Sequence, residues 1–206
     1  MDILVVAATE GEVRPFLQST RSLGQRSMNA TVLVTGPGMV ATAFALGKQL
    51  ATARYDLVLN VGIAGSFDRS IPLGEVVCIH QDTFAELGAE DGTDFLPSDQ
   101  LGLGKYTVEG IQDGYSGVDT LRKCRGITVN TVHGSETTIA EIVQRLDPQT
   151  ESMEGAAVFY AAHQAGIPAL QVRSISNYVE RRNKAAWEIP RAIGNLNRWL
   201  VGFFAS

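Results

Sequence analysis

The sequence predicts an α/β fold: one domain, residues 1–206, with a central β-sheet flanked by helices. Three observations predict it. Short apolar runs rich in Val and Ile recur along the chain, and several are followed by residues at helical spacing. Small-residue junctions stand between them, at residues 36–41 and 60–65. Residues 151–177 read as a complete helix, turn and strand. A chain of 206 residues that is 45% hydrophobic and 19% charged can bury a full core, and its composition is not that of a disordered segment. No repeat, low-complexity run or linker divides it.

Residues 1–8 form the first strand. Its apolar run is too short for a membrane span or for the apolar centre of a signal peptide. Thr9-Glu10-Gly11-Glu12 then opens a helix carried by Val13, Phe16 and Leu17. Glu10 and Glu12 both fit first-turn acids. Residues 31–35 form a second strand and lead into Gly36-Pro37-Gly38-Met39-Val40-Ala41, which fits the dinucleotide fingerprint G-x-G-x-x-A. The acid that should end the following strand is displaced, because Asp56 precedes the strand at 57–61. The same glycines suit a helix packed close to a sheet. Asn60-Val61-Gly62-Ile63-Ala64-Gly65 ends the third strand in a turn whose small residues let a ligand approach the backbone.

Residues 73–79 form another strand. Residues 81–94, with E-L-G-A-E-D at their centre, read as a surface loop or flap, and residues 97–116 as loop with a little helix. Residues 126–132 alternate into a strand. Thr131, Val132 and His133 then precede a Gly134-Ser135 turn and a helix at 136–144. A satisfied structural role suits His133 better than a catalytic one.

In the 151–177 unit, Ser152 caps a helix over 153–165, Gly166 closes it in the left-handed cap position, and Pro168 follows. Residues 169–175 are a buried strand. Glu154 lies in the first turn of an otherwise apolar helix, and Asn177 lies where the strand emerges. Ligands gather at such strand ends and helix starts. Glu154 also fits an acid that complements the helix dipole, at ~0.3–1 kcal/mol. Asn177 also fits a turn residue. A last helix spans 183–204, kinked by Pro190, with Trp187 packed in the core or at a subunit contact.

The net charge of −5 and the lack of a long basic run give no reason to expect nucleic acid or an anionic membrane as partner. Cys78 and Cys124 lie far apart without His companions, so free thiols are expected and no metal motif. A cytoplasmic location is the expectation.

The S-M-E-G-A-A segment at 152–157, followed by a strand ending R-S-I-S-N, resembles the purine nucleoside phosphorylase and nucleosidase superfamily. A-x-E-x-E-V at 8–13 and N-x-G-x-A-G at 60–65 extend the resemblance along the chain. E-L-G-A-E-D and S-N-Y-V-E-x-R-N resemble its futalosine-hydrolysing branch. The resemblance implies a mixed central sheet and no metal or organic cofactor. It implies a small nucleoside as partner and a homo-oligomer. It implies that Glu12 activates the attacking water, with Glu10 a bystander. Glu154, with Ser152 and Met153 beside it, would hold the ribose. Backbone at Ile63 and Gly65 would touch the nucleoside, and Thr131 and Val132 would bracket the purine. Thr131 stands where many relatives carry an aromatic residue.

Asn177 would address the base. Adenine-specific relatives have aspartic acid there. An amide offers one donor group and one acceptor, which matches O6 and a protonated N7 of a 6-oxopurine. The implied activity is hydrolysis of futalosine to hypoxanthine and dehypoxanthine futalosine, in menaquinone biosynthesis. An adenine-specific methylthioadenosine/S-adenosylhomocysteine nucleosidase stays open. So does a phosphorylase, which would need arginines to hold phosphate; Arg14 and Arg69 lie near presumed loops. A non-catalytic nucleotide-binding module is the reading from a different class.

Overall fold

The computed structural model describes residues 1–20 and 29–205; residues 21–28 and 206 lie outside the described residues. In chain order the elements are β1 (Asp2–Ala7), α1 (Glu10–Thr20), β2 (Asn29–Val34), α2 (Met39–Thr52) and β3 (Leu57–Ser66). Then come β4 (Val76–Phe84), β5 (Gly88–Asp91), β6 (Asp94–Pro97), β7 (Thr107–Glu109) and β8 (Arg122–Thr128). The chain ends with α3 (Glu136–Leu146), β9 (Thr150–Ser152), α4 (Gly155–Gln164), β10 (Ala169–Tyr178) and α5 (Ile189–Phe203).

The main sheet is mixed, as expected. Its strands run β10-β4-β8-β9-β3-β1-β2, with β7 added on β4. Parallel pairs join β1 to β2 and β3, β3 to β10, and β8 to β4 and β9. Antiparallel pairs join β4 to β10 and β7, and β3 to β9. The further β10–β3 pairing closes β10, β4, β8, β9 and β3 into a ring. Barrel closure of this kind leaves no free edge among those five strands. Among the described residues the edge at β2 remains open.

Buried side chains form a core layer on each side of the sheet. Ile3, Val5, Leu59, Leu170 and Val172 meet Phe16 of α1 and Leu196 and Leu200 of α5. Leu4, Val6 and Val58 meet Leu46 of α2 and Val158, Phe159 and Ala162 of α4. Successive residues of one strand thus serve opposite layers, the two-residue period of a sheet buried on both faces.

Several boundaries differ from the sequence reading. Residues 60–65 do not form a turn. β3 continues to Ser66 because β10 pairs with it along that length, with one irregularity between Ile175 and Asn177. The acidic stretch at 81–94 is not one loop. Its start continues β4, where Asp82 is buried, and its remainder forms the β5–β6 hairpin. Among the described residues, 97–116 carries the short strand β7 and no helix. Ser152 ends β9 and makes no cap; Glu154 occupies the N-cap position of α4. Gly166 does adopt the left-handed conformation, at φ 69°. Pro190 does not kink the last helix but opens it, where a missing N–H costs nothing.

One buried amide joins the two ends of the chain. Asn197 of α5 accepts from Phe16 N–H at 2.9 Å and donates to the Glu12 carbonyl at 2.7 Å. Those are the two groups that an α-helix pairs directly, and Pro15 stands between them in α1. Asn197 thereby fixes the first turns of α1, and Glu12 with them. Replacing Asn197 with Leu keeps the branched shape and removes both bonds, together with its donation to Ile193 O. The expected result is a loss of roughly 1–3 kcal/mol of unfolding free energy, read from urea denaturation.

Candidate active site

A pocket of about 540 Å³ opens where β3, β9 and β10 meet the starts of α1 and α4. Its wall includes Glu12, Ile63, Gly65, Val132, Ser152, Met153, Glu154 and Asn177, which are eight of the nine residues singled out above. Thr131 is exposed and lies outside that wall. The β5–β6 hairpin also contributes nothing to it.

Glu12 projects from the first turn of α1 and is buried. Its Oε1 accepts from Ile63 N–H at 3.1 Å. Its Oε2 accepts from Thr9 N–H and Thr9 Oγ, both at 2.9 Å. A carboxylate offers about four lone-pair positions. Three donors therefore fix its orientation and leave room for one further partner.

Glu154 is likewise buried, and its Oε1 accepts from Gly38 N–H at 2.9 Å. Among the described residues its Oε2 receives no hydrogen bond. The G-x-G loop thus uses its backbone donor on a protein carboxylate, not on a phosphate. Gly38 sits at φ 91°, a conformation that side-chain-bearing residues rarely adopt. Asn177 Nδ2 donates one hydrogen to Tyr178 O at 3.0 Å, and its Oδ1 accepts from Ser176 Oγ at 2.8 Å. One N–H and one acceptor position of the amide remain.

Beneath these residues runs a buried polar chain that sequence reasoning missed. Arg173 is 1% exposed. Its Nη2 donates to Asn60 Oδ1 at 2.5 Å and to Gln171 Oε1 at 2.9 Å. Gln171 Nε2 donates to Asp82 Oδ2 at 2.8 Å, and Thr128 Oγ1 donates to Asp82 Oδ1 at 2.8 Å. Thr128 Oγ1 in turn accepts from Ala156 N–H at 2.8 Å, in the first turn of α4. The chain therefore ends at the helix start that carries Glu154.

Its other end reaches Glu12. A Cβ on Gly62 would overlap Arg173 Nη1 and stand 2.8 Å from Glu12 Oε1. A Cβ on Gly155 would overlap Gln171 Oε1 and Asp82 Oδ2. Both glycines are small because a buried polar group takes the space.

His133 and Glu151 add a pair at the same wall. Glu151 Oε1 accepts from His133 N–H at 3.0 Å, and Glu151 Oε2 pairs with His133 Nδ1. Trp187 is half-buried and lines the pocket with Ile189 and Ile193. The Arg182 guanidinium lies over its ring, 5.0 Å from the centroid.

With this geometry in place, comparison with known proteins decides the family. The phosphorylase superfamily model matches residues 2–203. The chain belongs to that superfamily. It is 36% identical to a futalosine hydrolase of Streptomyces coelicolor over 69% of this chain and 62% of that protein. It is 31% identical to a futalosine hydrolase of Acidothermus cellulolyticus over 94% of this chain and 85% of that protein. A Helicobacter pylori 5′-methylthioadenosine/S-adenosylhomocysteine nucleosidase, solved with butyl-thio-DADMe-Immucillin-A, superposes with a TM-score of 0.82 at 15% identity. That superposition covers 98% of this chain and 97% of the other, and it bears out the expected fold.

Burial pushes the Asp82 carboxyl up to about 6, against the pull of its hydrogen bonds from Gln171 and Thr128. The folded state therefore holds this proton more tightly than the unfolded chain does. The resulting stabilisation is full below about pH 4 and is lost as pH rises through about 6. Asp82→Asn removes that titration. Urea unfolding from pH 4 to 7 should show the wild type losing roughly 2–3 kcal/mol relative to the variant as pH rises. A constant difference across that range would contradict the assignment.

Proposed function

We propose that this superfamily member hydrolyses the N-glycosidic bond of futalosine, releasing hypoxanthine and dehypoxanthine futalosine. The observation that carries the reading is one pocket holding Glu12, Glu154 and the Asn177 amide together. The two futalosine hydrolases reported above support the choice of substrate.

Water attacks C1′ of the ribose while the bond from C1′ to N9 breaks. Glu12 takes the proton of that water with the one acceptor position its three donors leave. Glu154 uses Oε2 to accept from the ribose hydroxyls, and its charge favours the cationic sugar of the transition state. The electron pair of the broken bond goes to the purine. N7 takes its proton from solvent as the bond breaks, since an amide cannot give one up, and the proton held by Glu12 returns to solvent. The free N–H of Asn177 donates to O6, and its free acceptor position takes the hydrogen on N7.

Water is favoured over phosphate as nucleophile by charge. The pocket wall carries Glu12, Glu151, Glu154 and Glu180, with Arg182 as its arginine among the described residues. Arg173 is buried and engaged with Gln171 and Asn60. A phosphate needs the reverse balance. Adenine-specific hydrolysis is the second reading, and Asn177 speaks against it.

The reading also takes the protein as cytoplasmic and as a participant in menaquinone biosynthesis. Among the described residues no helix is long and apolar enough to cross a membrane. Self-association is supported by Val40 and Phe44 of α2, 81% and 75% exposed, and by the half-exposed Tyr160 of α4, the helix that packs against α2. Exposed apolar groups of this kind mark contact surfaces.

Chromatography of released base in phosphate-free buffer tests the activity. Hypoxanthine should appear from futalosine, and no adenine from methylthioadenosine. Release that requires added phosphate would move the protein to the phosphorylases. Glu12→Gln should lower kcat by roughly 10²–10⁴-fold, since it removes the base. Asn177→Asp should lower kcat/KM for futalosine and raise it for the 6-amino counterpart.

A further inference from the structure

We infer that His133 reads N1 of the purine, with Glu151 as the positioning residue that fixes its tautomer. The inference rests on the 6-oxopurine reading above and extends it to a second residue.

Glu151 is 4% exposed and spends both oxygens on His133. A carboxylate accepts and does not donate, so Nδ1 is the nitrogen that carries hydrogen toward it. In the neutral ring Nε2 is then an acceptor. Among the described residues Nε2 makes no hydrogen bond within the protein, and His133 lines the pocket with its side chain 15% exposed. Phe67 packs edge-on against it, with centroids 6.2 Å apart, and holds the ring plane.

Strand register places this pair beside the base. Glu151 of β9 faces Gly65 of β3, and Gly65 faces Asn177 of β10. The His133–Glu151 pair and Asn177 therefore stand on either side of one backbone position that has no side chain. Asn177 takes the edge carrying N7 and O6. His133 is left for the adjoining edge, which carries N1.

N1 is where the two purine classes differ. A 6-oxopurine has hydrogen there, and a 6-aminopurine has a lone pair. An acceptor Nε2 bonds the first and meets the second lone pair to lone pair. A buried site that offers the wrong partner discriminates strongly.

The test compares wild type with His133→Ala, His133→Gln and Glu151→Gln. Calorimetry gives the Kd of free hypoxanthine and free adenine, and kinetics give kcat/KM for futalosine and its 6-amino counterpart. His133→Ala should cut the preference for the 6-oxo compound roughly 10- to 100-fold, with adenine binding little changed. His133→Gln places an amide oxygen near the Nε2 position and should retain most of the preference. The amide introduced by Glu151→Gln can donate to Nδ1, so this variant should turn an Nε2–H outward and shift the preference toward adenine. An unchanged ratio in these variants, or an equal loss for both bases, would overturn the inference. If His133→Ala does not fold, the two volume-conserving variants decide. A wild type that hydrolyses neither nucleoside would sink the proposed function, while the base-binding ratios would still decide the role of His133.

Discussion

The buried guanidinium of Arg173 is the constraint around which this molecule is arranged. Moving such a charge out of water is costly unless hydrogen bonds and counter-charge replace the solvent. Gln171, Asn60 and Asp82 supply that replacement. Gln171 can serve both neighbours only with its oxygen toward Arg173 and its nitrogen toward Asp82, so the chain has one direction. Thr128 extends it to the start of α4. At the other end only the missing side chain of Gly62 gives the guanidinium room beside Glu12. The network thus runs from beside Glu12 to the first turn of the helix that Glu154 opens.

This explains why small residues surround the pocket. Gly155 follows Glu154 because Gln171 and Asp82 occupy the space above its Cα. Gly65 leaves room for Val179 and Asn177. Gly38 adopts a positive φ, and its N–H anchors Glu154. Gly62, Gly65 and Gly155 make room for a neighbouring group, whereas Gly38 supplies a backbone conformation.

Much of the fold was legible in the sequence. The strands at 1–8, 31–35 and 169–175 and the helix at 136–144 all appear, because their apolar periodicity is strong. What failed was local. The 60–65 segment looks like a turn from its glycines, and only the pairing with β10 shows that it is strand. Ser152 looks like a cap, yet the three-residue strand β9 claims it. The Asp82 segment looks solvated from its acids, and its burial depends on partners distant in sequence, Thr128 and Gln171. The pocket wall was legible through motifs, apart from Thr131. Arg173 and Glu151 escaped notice because an ionic residue in a strand or beside a helix gives no signal of its own. Their meaning comes from register across strands.

The position of β10 carries a consequence for how the protein comes into being. This strand, late in the sequence, lies between β3 and β4 and completes the ring. It also brings Gln171, Arg173 and Asn177, while Asn197 of the following helix reaches back to the Glu12 backbone. A ribosome releases the N-terminal strands and Glu12 well before their neighbours exist. Until β10 emerges, β3 and β4 present unpaired backbone edges, and such edges invite pairing with other chains. Folding of this topology is dominated by contacts distant in sequence and is correspondingly slow. The nascent chain therefore passes through a period in which protection by a chaperone matters more than it does for the finished protein.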